Sequence, residues 1–252
     1  MKFGDNLISR IIQITFVVAL LLAWAVATKS GAVHTLLLPD PERVWAAMQR
    51  LAISGRLWNE AQVTMMEVGY AYLLAVLPGL AVGFLVSRSP RAVRFFEPIF
   101  SGIFTVPLTL FLPLFIFFFG IGPTAKIAFG GVYAFFPVVI TAIAAFVGVE
   151  RLHIAAGRSM GATSWQMFRH IYLPSAMPGI LTGLRIAAIV CIASVLGAET
   201  VSALKGLGRS IAYASELMDS VQMFAWLLYV VIMAVSVNLA LTAAEARAHR
   251  RY

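Results

Sequence analysis

No charged residue occurs between Glu67 and Arg88, between Glu97 and Lys126, between Lys126 and Glu150, or between Asp219 and Glu245. A water-soluble domain carries about 25% charged residues, spread along its length. Here only 12% of residues are charged, 61% are apolar and the mean hydropathy is +0.90. Runs of about 20 apolar residues match the hydrocarbon thickness of a bilayer. The expectation is an all-α, polytopic membrane protein with six transmembrane helices. The spans are Ile11–Thr28, Val68–Val86, one within Pro98–Ala125, Ile127–Val149, Gly179–Ala198 and Ser220–Ala244. Arg185 interrupts the fifth span close enough to its start to snorkel.

The first span has a second reading. Lys2 and Arg10 precede an apolar stretch that closes on Ala25-Val26-Ala27, which fits a secretory signal with an A-x-A site. The run is long for such a signal, so a retained helix is expected. The net charge of +8 is distributed in short segments between the spans. That is the pattern of membrane topology rather than of nucleic-acid binding. With the N-terminus inside, the inner segments hold 12 of the 19 Lys and Arg (Lys2, Arg10, Arg88, Arg91, Arg94, Arg151, Arg158, Arg169, Arg185, Arg247, Arg250 and Arg251). The outer segments hold the other 7, from Lys29 to Arg209, Lys126 among them. Both termini are therefore expected in the cytoplasm of a cell whose inner membrane holds the chain.

Organisation follows. Residues 1–35 hold the N-terminal transmembrane helix and 36–60 an outer amphipathic interfacial helix. Residues 61–244 form the transmembrane core, and 245–252 a basic cytoplasmic tail. In the second segment Asp40 can cap, Pro41 suits the first helical position and Gly55 the stop. Val44, Trp45, Met48, Leu51 and Ala52 make its apolar stripe. Gly79-x-x-x-Gly83 and Gly179-x-x-x-Gly183 allow helix backbones to approach closely in lipid. Pro107 and Pro113 should bend the third span. Backbone carbonyls freed by such a bend are tolerated where they are buried in protein or face a wet cavity.

Enzymatic patterns fare poorly. Gly157-Arg158-Ser159-Met160-Gly161 matches G-x-S-x-G but lacks the strand that a nucleophile elbow needs. An intramembrane serine hydrolase would need a Ser–His pair within the spans. His34, His153, His170 and His249 all lie outside them. The same scatter leaves no metal-ligand pair. Lys205-Gly206-Leu207-Gly208 lacks the context of a phosphate loop, and the single Cys191 has no partner for a disulfide. No cofactor is expected in this chain. Glu67 alone approaches an intramembrane ionisable position, so energy should enter from elsewhere.

Residues 149–178 form a polar island between two spans. Residues 151–160 read as a short helix and Gly161 as a turn. Thr163-x-x-Gln166 is a capping-box pattern that opens a second helix, with Pro174 expected to end it. Trp165, Phe168 and Ile171 fall at i, i+3 and i+6 as an apolar ridge. Such a ridge can enter a partner's groove, or pack only on its own bundle.

The frame Ala155-Ala156-Gly157, three residues, Gly161, nine residues, Ile171-x-Leu173-Pro174 resembles the cytoplasmic loop of binding-protein-dependent ABC importer permeases. That family's pattern is Glu-Ala-Ala, three residues, Gly, nine residues, Ile-x-Leu-Pro. Ala155 replaces the Glu and Gly157 the second Ala. Leu38-Pro39-Asp40-Pro41, Ser54-Gly55-Arg56-Leu57-Trp58, Phe119-Gly120-Ile121-Gly122, Phe135-Phe136-Pro137, Ala198-Glu199 and Gly206-Leu207-Gly208 also look like the nitrate/sulfonate/taurine branch of that family. The resemblance implies a permease subunit without its own nucleotide site. Two copies, as a homodimer, would pair around the pathway. ABC ATPase subunits carrying ATP and Mg²⁺ would hold Ala155, Ala156, Gly157, Gly161, Trp165, Phe168, Ile171, Leu173 and Pro174 through a coupling helix. A periplasmic binding protein would deliver a small organic anion, sulfonate, nitrate or vitamin precursor. The pathway is expected near Thr105, Pro107, Thr109, Ser194, Glu199 and Thr200. The alternatives are a six-span intramembrane enzyme and a non-transporting membrane assembly protein.

Overall fold

The computed structural model describes residues 2–31 and 33–249. The side chains of Lys2, Arg10 and Arg247, and the whole of Arg250 and Arg251, used above for orientation, lie outside the described residues. Every regular element among the described residues is helical. The helices are α1 (Lys2–Lys29), α2 (Pro41–Ile53), α3 (Arg56–Ser87), α4 (Pro90–Thr105), α5 (Leu112–Phe119), α6 (Pro123–Val147), α7 (Arg151–Ser159), α8 (Ser164–Met167), α9 (Leu173–Ser202), α10 (Leu207–Glu216) and α11 (Ser220–His249). A 3₁₀ turn over Leu108–Phe111 joins α4 to α5, and a π turn over Phe168–Tyr172 joins α8 to α9.

Among the described residues, four helices are long and apolar enough to cross a bilayer: α3, α6, the continuous run Ser164–Ser202, and α11 over Ser220–Ala243. A fifth span results if α4 and the Leu108–Phe119 segment count as one, bent by 75°. In α1 the apolar described stretch is Thr15–Lys29, shorter than a span. The bend falls at Pro107, as its missing donor and ring sterics require. Pro113 instead sits in the first turn of α5, where a proline fits without a kink.

Two compact units emerge. One comprises residues 1–59 and 210–230, the other 60–209 and 231–252. In the first, α2 buries Val44, Ala47, Met48 and Leu51. Trp45, placed on that stripe by sequence, is exposed because it lies one position off the i, i+3, i+4, i+7 row. Pro41 opens the helix as expected. The Asp40 side chain makes no capping bond and lies 3.5 Å from Arg43 instead. Trp24 Nε1 donates to the Pro39 carbonyl at 3.0 Å, and Tyr229 Oη to that of Met48 at 2.7 Å.

In the second unit α6 is the axle. Thirteen of its residues are buried, among them Phe129, Val138, Val139 and Ile143. Lipid provides no hydrophobic drive between helices, so packing must come from close contact of small residues. Both glycine pairs supply it, and both meet α6. A Cβ at Gly79 would lie 2.7 Å from Val138 Cγ1, and one at Gly83 2.5 Å from Ala142 Cβ. On α9, a Cβ at Gly179 would lie 2.8 Å from Ala145 Cβ, and one at Gly183 would strike Thr141. The Thr141 hydroxyl donates to the Pro137 carbonyl at 2.6 Å, satisfying an acceptor near the proline inside α6.

Arg185, expected to snorkel, has an acidic partner within the protein. Its Nη1 lies 3.1 Å from Glu245 Oε2 on α11, and Thr182 Oγ1 donates to the other carboxylate oxygen at 2.8 Å.

Overpacking a close helix crossing costs about 1–3 kcal/mol. Gly83→Val should therefore lower the midpoint of thermal unfolding in detergent by several degrees. Gly102→Ala, where nothing lies within 4 Å, should leave that midpoint unchanged or raise it slightly.

Candidate functional site

The polar island folds as two short helices set by local chemistry. α7 closes on Met160, whose N–H donates to the Ala156 carbonyl at 3.1 Å. Gly161 then takes φ +72°, a left-handed conformation that glycine adopts without strain. The capping box is complete: Thr163 Oγ1 accepts from Gln166 N at 3.3 Å, and Gln166 Oε1 accepts from Thr163 N at 2.8 Å.

Pro174 does not end the second helix, contrary to the sequence expectation. The chain continues helical from Ser164 to Ser202. The π turn makes this possible. Leu173 N donates to the Phe168 carbonyl, five residues back, so the coil is widened just where the proline ring would press on the preceding turn.

The ridge divides between two faces. Phe168 is half-buried, its ring 4.8 Å from Phe84, which in turn lies 5.1 Å from Phe146. Ile171 packs beside the same Phe146, Val149, Ala176 and Ile180 cluster. Gly157 lies directly beneath Ile171 and Met167; a Cβ there would come within 2.6 Å of the Met167 sulfur and closer still to Ile171. The replacement of alanine at this position is thus matched by the side chain above it. Leu173 and Pro174 are half-buried at the start of α9. Exposed on the loop are the apolar Leu152 (75%), Met160 (85%) and Trp165 (64%), with Ala155 and Ala156 and the polar Arg158 and Ser159 exposed among them.

The pathway residues fall into two groups. Thr105, Pro107 and Thr109 are exposed around the α4–α5 break, beside an apolar cleft of about 470 Å³ lined by Ile103, Val106, Leu108 and Phe111. Thr105 donates to its own helix at Gly102 O, 2.7 Å. Ser194 is buried and donates to Val190 O at 2.7 Å; Thr200 is exposed and donates to Gly197 O at 2.7 Å. Leu108 and Leu112 pack on Phe129 and Ala198, which brings the break next to the α9 end that carries Glu199.

Glu199 itself belongs to a buried polar knot. It is fully buried, accepting from Thr64 Oγ1 at 2.7 Å and from Gly208 N at 2.7 Å. Thr64 Oγ1 also accepts from Leu207 N at 2.9 Å, and Glu60 Oε2 accepts from Gly206 N at 2.6 Å. Gly206 has φ +116°, and a Cβ there would collide with the Glu199 carboxylate. Close by, Glu67 and Lys126 form an ion pair at 2.5 Å with each side chain at most 4% exposed. Lys126, counted above as an outer-loop cation, is therefore interior to α6. Sequence singles out Glu67 and Glu199 one by one, but not their pairing with Lys126 and Thr64, because nothing local joins positions so far apart. The one available signal was that Glu67 and Lys126 each stand at the edge of a charge-free run.

The sequence profile of the family described as binding-protein-dependent transport system inner membrane component matches residues 71–252. The chain is 32% identical over 238 residues to the taurine transport system permease protein TauC of Escherichia coli (strain K12), spanning 92% of this chain and 86% of that protein. It is 29% identical over 202 residues to the putative aliphatic sulfonates transport permease protein SsuC of Bacillus subtilis (strain 168), spanning 80% and 73%. Among solved structures, a chain of the MetNI methionine ABC transporter in an inward-facing conformation aligns with a TM-score of 0.62 and 25% identity, covering 74% of this chain and 93% of that one.

Removing one member of a buried ion pair costs about 3–5 kcal/mol, because the other charge is left without a partner. Lys126→Met should sharply reduce the yield of folded protein, and the double variant Glu67→Gln/Lys126→Met should recover most of it. Thr64→Val leaves a carboxylate and an amide short of a partner and should cost about 1–3 kcal/mol for each, with Thr64→Ser near wild type in thermal unfolding.

Proposed function

As this chain belongs to the binding-protein-dependent transport system inner membrane components, and is a multi-pass permease subunit of an ATP-driven ABC importer, we propose that its α7–α8 loop is the seat of the partner ATPase. The observation that carries the reading is the two-faced loop. Phe168 and Ile171 bind it to the bundle, while Leu152, Met160 and Trp165 stand exposed on the other side. A loop held from within, with exposed apolar side chains among its charged ones, can pass a partner's movement to the helices behind it. An apolar helical face of this kind fits a groove on a soluble protein. The loop residues Ala155, Ala156, Gly157, Gly161, Trp165, Phe168, Ile171, Leu173 and Pro174 divide between these tasks. Gly157, Phe168, Ile171, Leu173 and Pro174 support; Ala155, Ala156 and Trp165 touch the partner; Gly161 sets the angle between the two short helices.

In this reading the loop and both termini face the cytoplasm, in agreement with the excess of Lys and Arg on that side. ATP and Mg²⁺ sit on the ATPase. Two copies of this chain pair around the pathway, and a periplasmic binding protein delivers the solute. Solute passes beside the α4–α5 break and α9, where Thr105, Pro107, Thr109 and Thr200 are exposed. Ser194 and Glu199 shape that wall from inside rather than touching solute. The taurine and sulfonate relatives support a small organic sulfonate as the cargo.

Trp165→Asp and Met160→Asp should each leave insertion and thermal unfolding unchanged, since both side chains are exposed. Each should weaken co-purification of the ATPase, Trp165→Asp by about 2 kcal/mol or some thirtyfold in affinity, as for an aromatic anchor. Full retention of the ATPase by both variants would remove the loop as its seat. For the cargo, the ligand captured by the partner binding protein should be a sulfonate; a cationic ligand there would overturn that assignment.

A further inference from the structure

A second cleft opens on the island side of the molecule, between the C-terminal end of α3 and the α7–α8 turn. Its volume is about 650 Å³. Arg88 and Arg158 line it together with the hydroxyl-bearing Ser87 and Ser164, and aromatic rings including Phe84 and Trp165 form its floor. No acidic residue lines it. Neither arginine has an ion-pair partner among the described residues, and both are exposed. The Arg88 guanidinium lies over the Phe84 ring, 5.9 Å from its centroid. Ser87 ends α3, a membrane span, so the cleft sits where a helix leaves the hydrocarbon.

Two unpaired guanidiniums suit a phosphate oxyanion, which a guanidinium can bind through two parallel hydrogen bonds; Ser164 stands beside them, while the Ser87 hydroxyl already donates to the Phe84 carbonyl at 2.7 Å. The aromatic floor suits something apolar attached to that phosphate. The position at the end of a span provides it: the lipid of the surrounding leaflet. Basic pockets between membrane helices at the interface are settings for anionic headgroups. We propose that this cleft binds the phosphate headgroup of an anionic phospholipid, with Arg88 and Arg158 as its two clamps. The site is distinct from the exposed Leu152 and Met160 patch. It does not depend on the ATPase reading but adjoins that face, because Arg158, Ser164 and Trp165 stand on the same two short helices.

The test uses the full-length subunit purified with its partners and presented with equal amounts of phosphatidylglycerol and phosphatidylcholine in detergent, with bound lipid read by native mass spectrometry. One phosphatidylglycerol should be retained per chain, at least tenfold over phosphatidylcholine, from about fivefold for each arginine. Arg88→Gln and Arg158→Gln should each lose about fivefold, and the double variant all preference. Arg88→Lys/Arg158→Lys should keep a partial preference, since charge remains without the two-pronged geometry. Equal retention by the double Gln variant would overturn the proposal. So would binding of inorganic phosphate by the wild type, measured by calorimetry, that displaces the lipid, because the cleft would then serve a soluble anion. Loss of the ATPase from the double Gln variant with lipid preference intact would assign both arginines to the partner's face, and would equally overturn it.

Discussion

Close approach of backbones around α6 is the constraint on which the membrane core depends. Two helices meet it through glycine pairs: α3 at Val138 and Ala142, α9 at Thr141 and Ala145. In lipid the helices gain nothing by hiding apolar surface from one another, so van der Waals fit at these crossings carries the association. The same closeness leaves little room for polar groups. Several of those that remain inside are paired, as Glu67 is with Lys126 in an ion pair, Thr64 with Glu199 and Thr141 with Pro137.

Much of this was legible in the sequence. Charge-free runs located the helices because a bilayer sets their minimum length. The glycine pairs announced tight crossings, although not that both would choose the same helix. The capping box and Gly161 were legible because their chemistry is complete within four residues. Pro174 departs from the rule that proline ends a helix because that rule assumes an α coil before it; a widened turn removes the clash, and no residue type advertises that turn. Trp45 departs from its expected stripe, and Phe168 takes the bundle side of the two that its ridge allowed, for a different reason. Spacing gives a stripe but not which of its edges faces protein, and that is decided by partners such as Phe84 that lie distant in the chain.

The buried knot shows the other limit. Glu60, Thr64 and Glu199 are held by the amides of Gly206, Leu207 and Gly208, so a loop that reads as a bare turn is a set of donors for carboxylates on two spans. Glycine at 206 is needed because any side chain would occupy the carboxylate's place. Sequence shows the glycines; only folding shows what they make room for. Among the residues read as lining a pathway, Glu199 thus acts as a clasp between helices.

The widened turn at 168–172 has a mechanical consequence. Because it lets the coil pass Pro174 without stopping, Trp165 and Glu199 stand on one unbroken rod of about 50 Å, at the usual rise of 1.5 Å per residue. A hinge at the membrane surface would have absorbed a push on the near end. A rod instead delivers it, as tilt or rotation, to the far end and to the clasp that α3 and the 206–208 loop close around it.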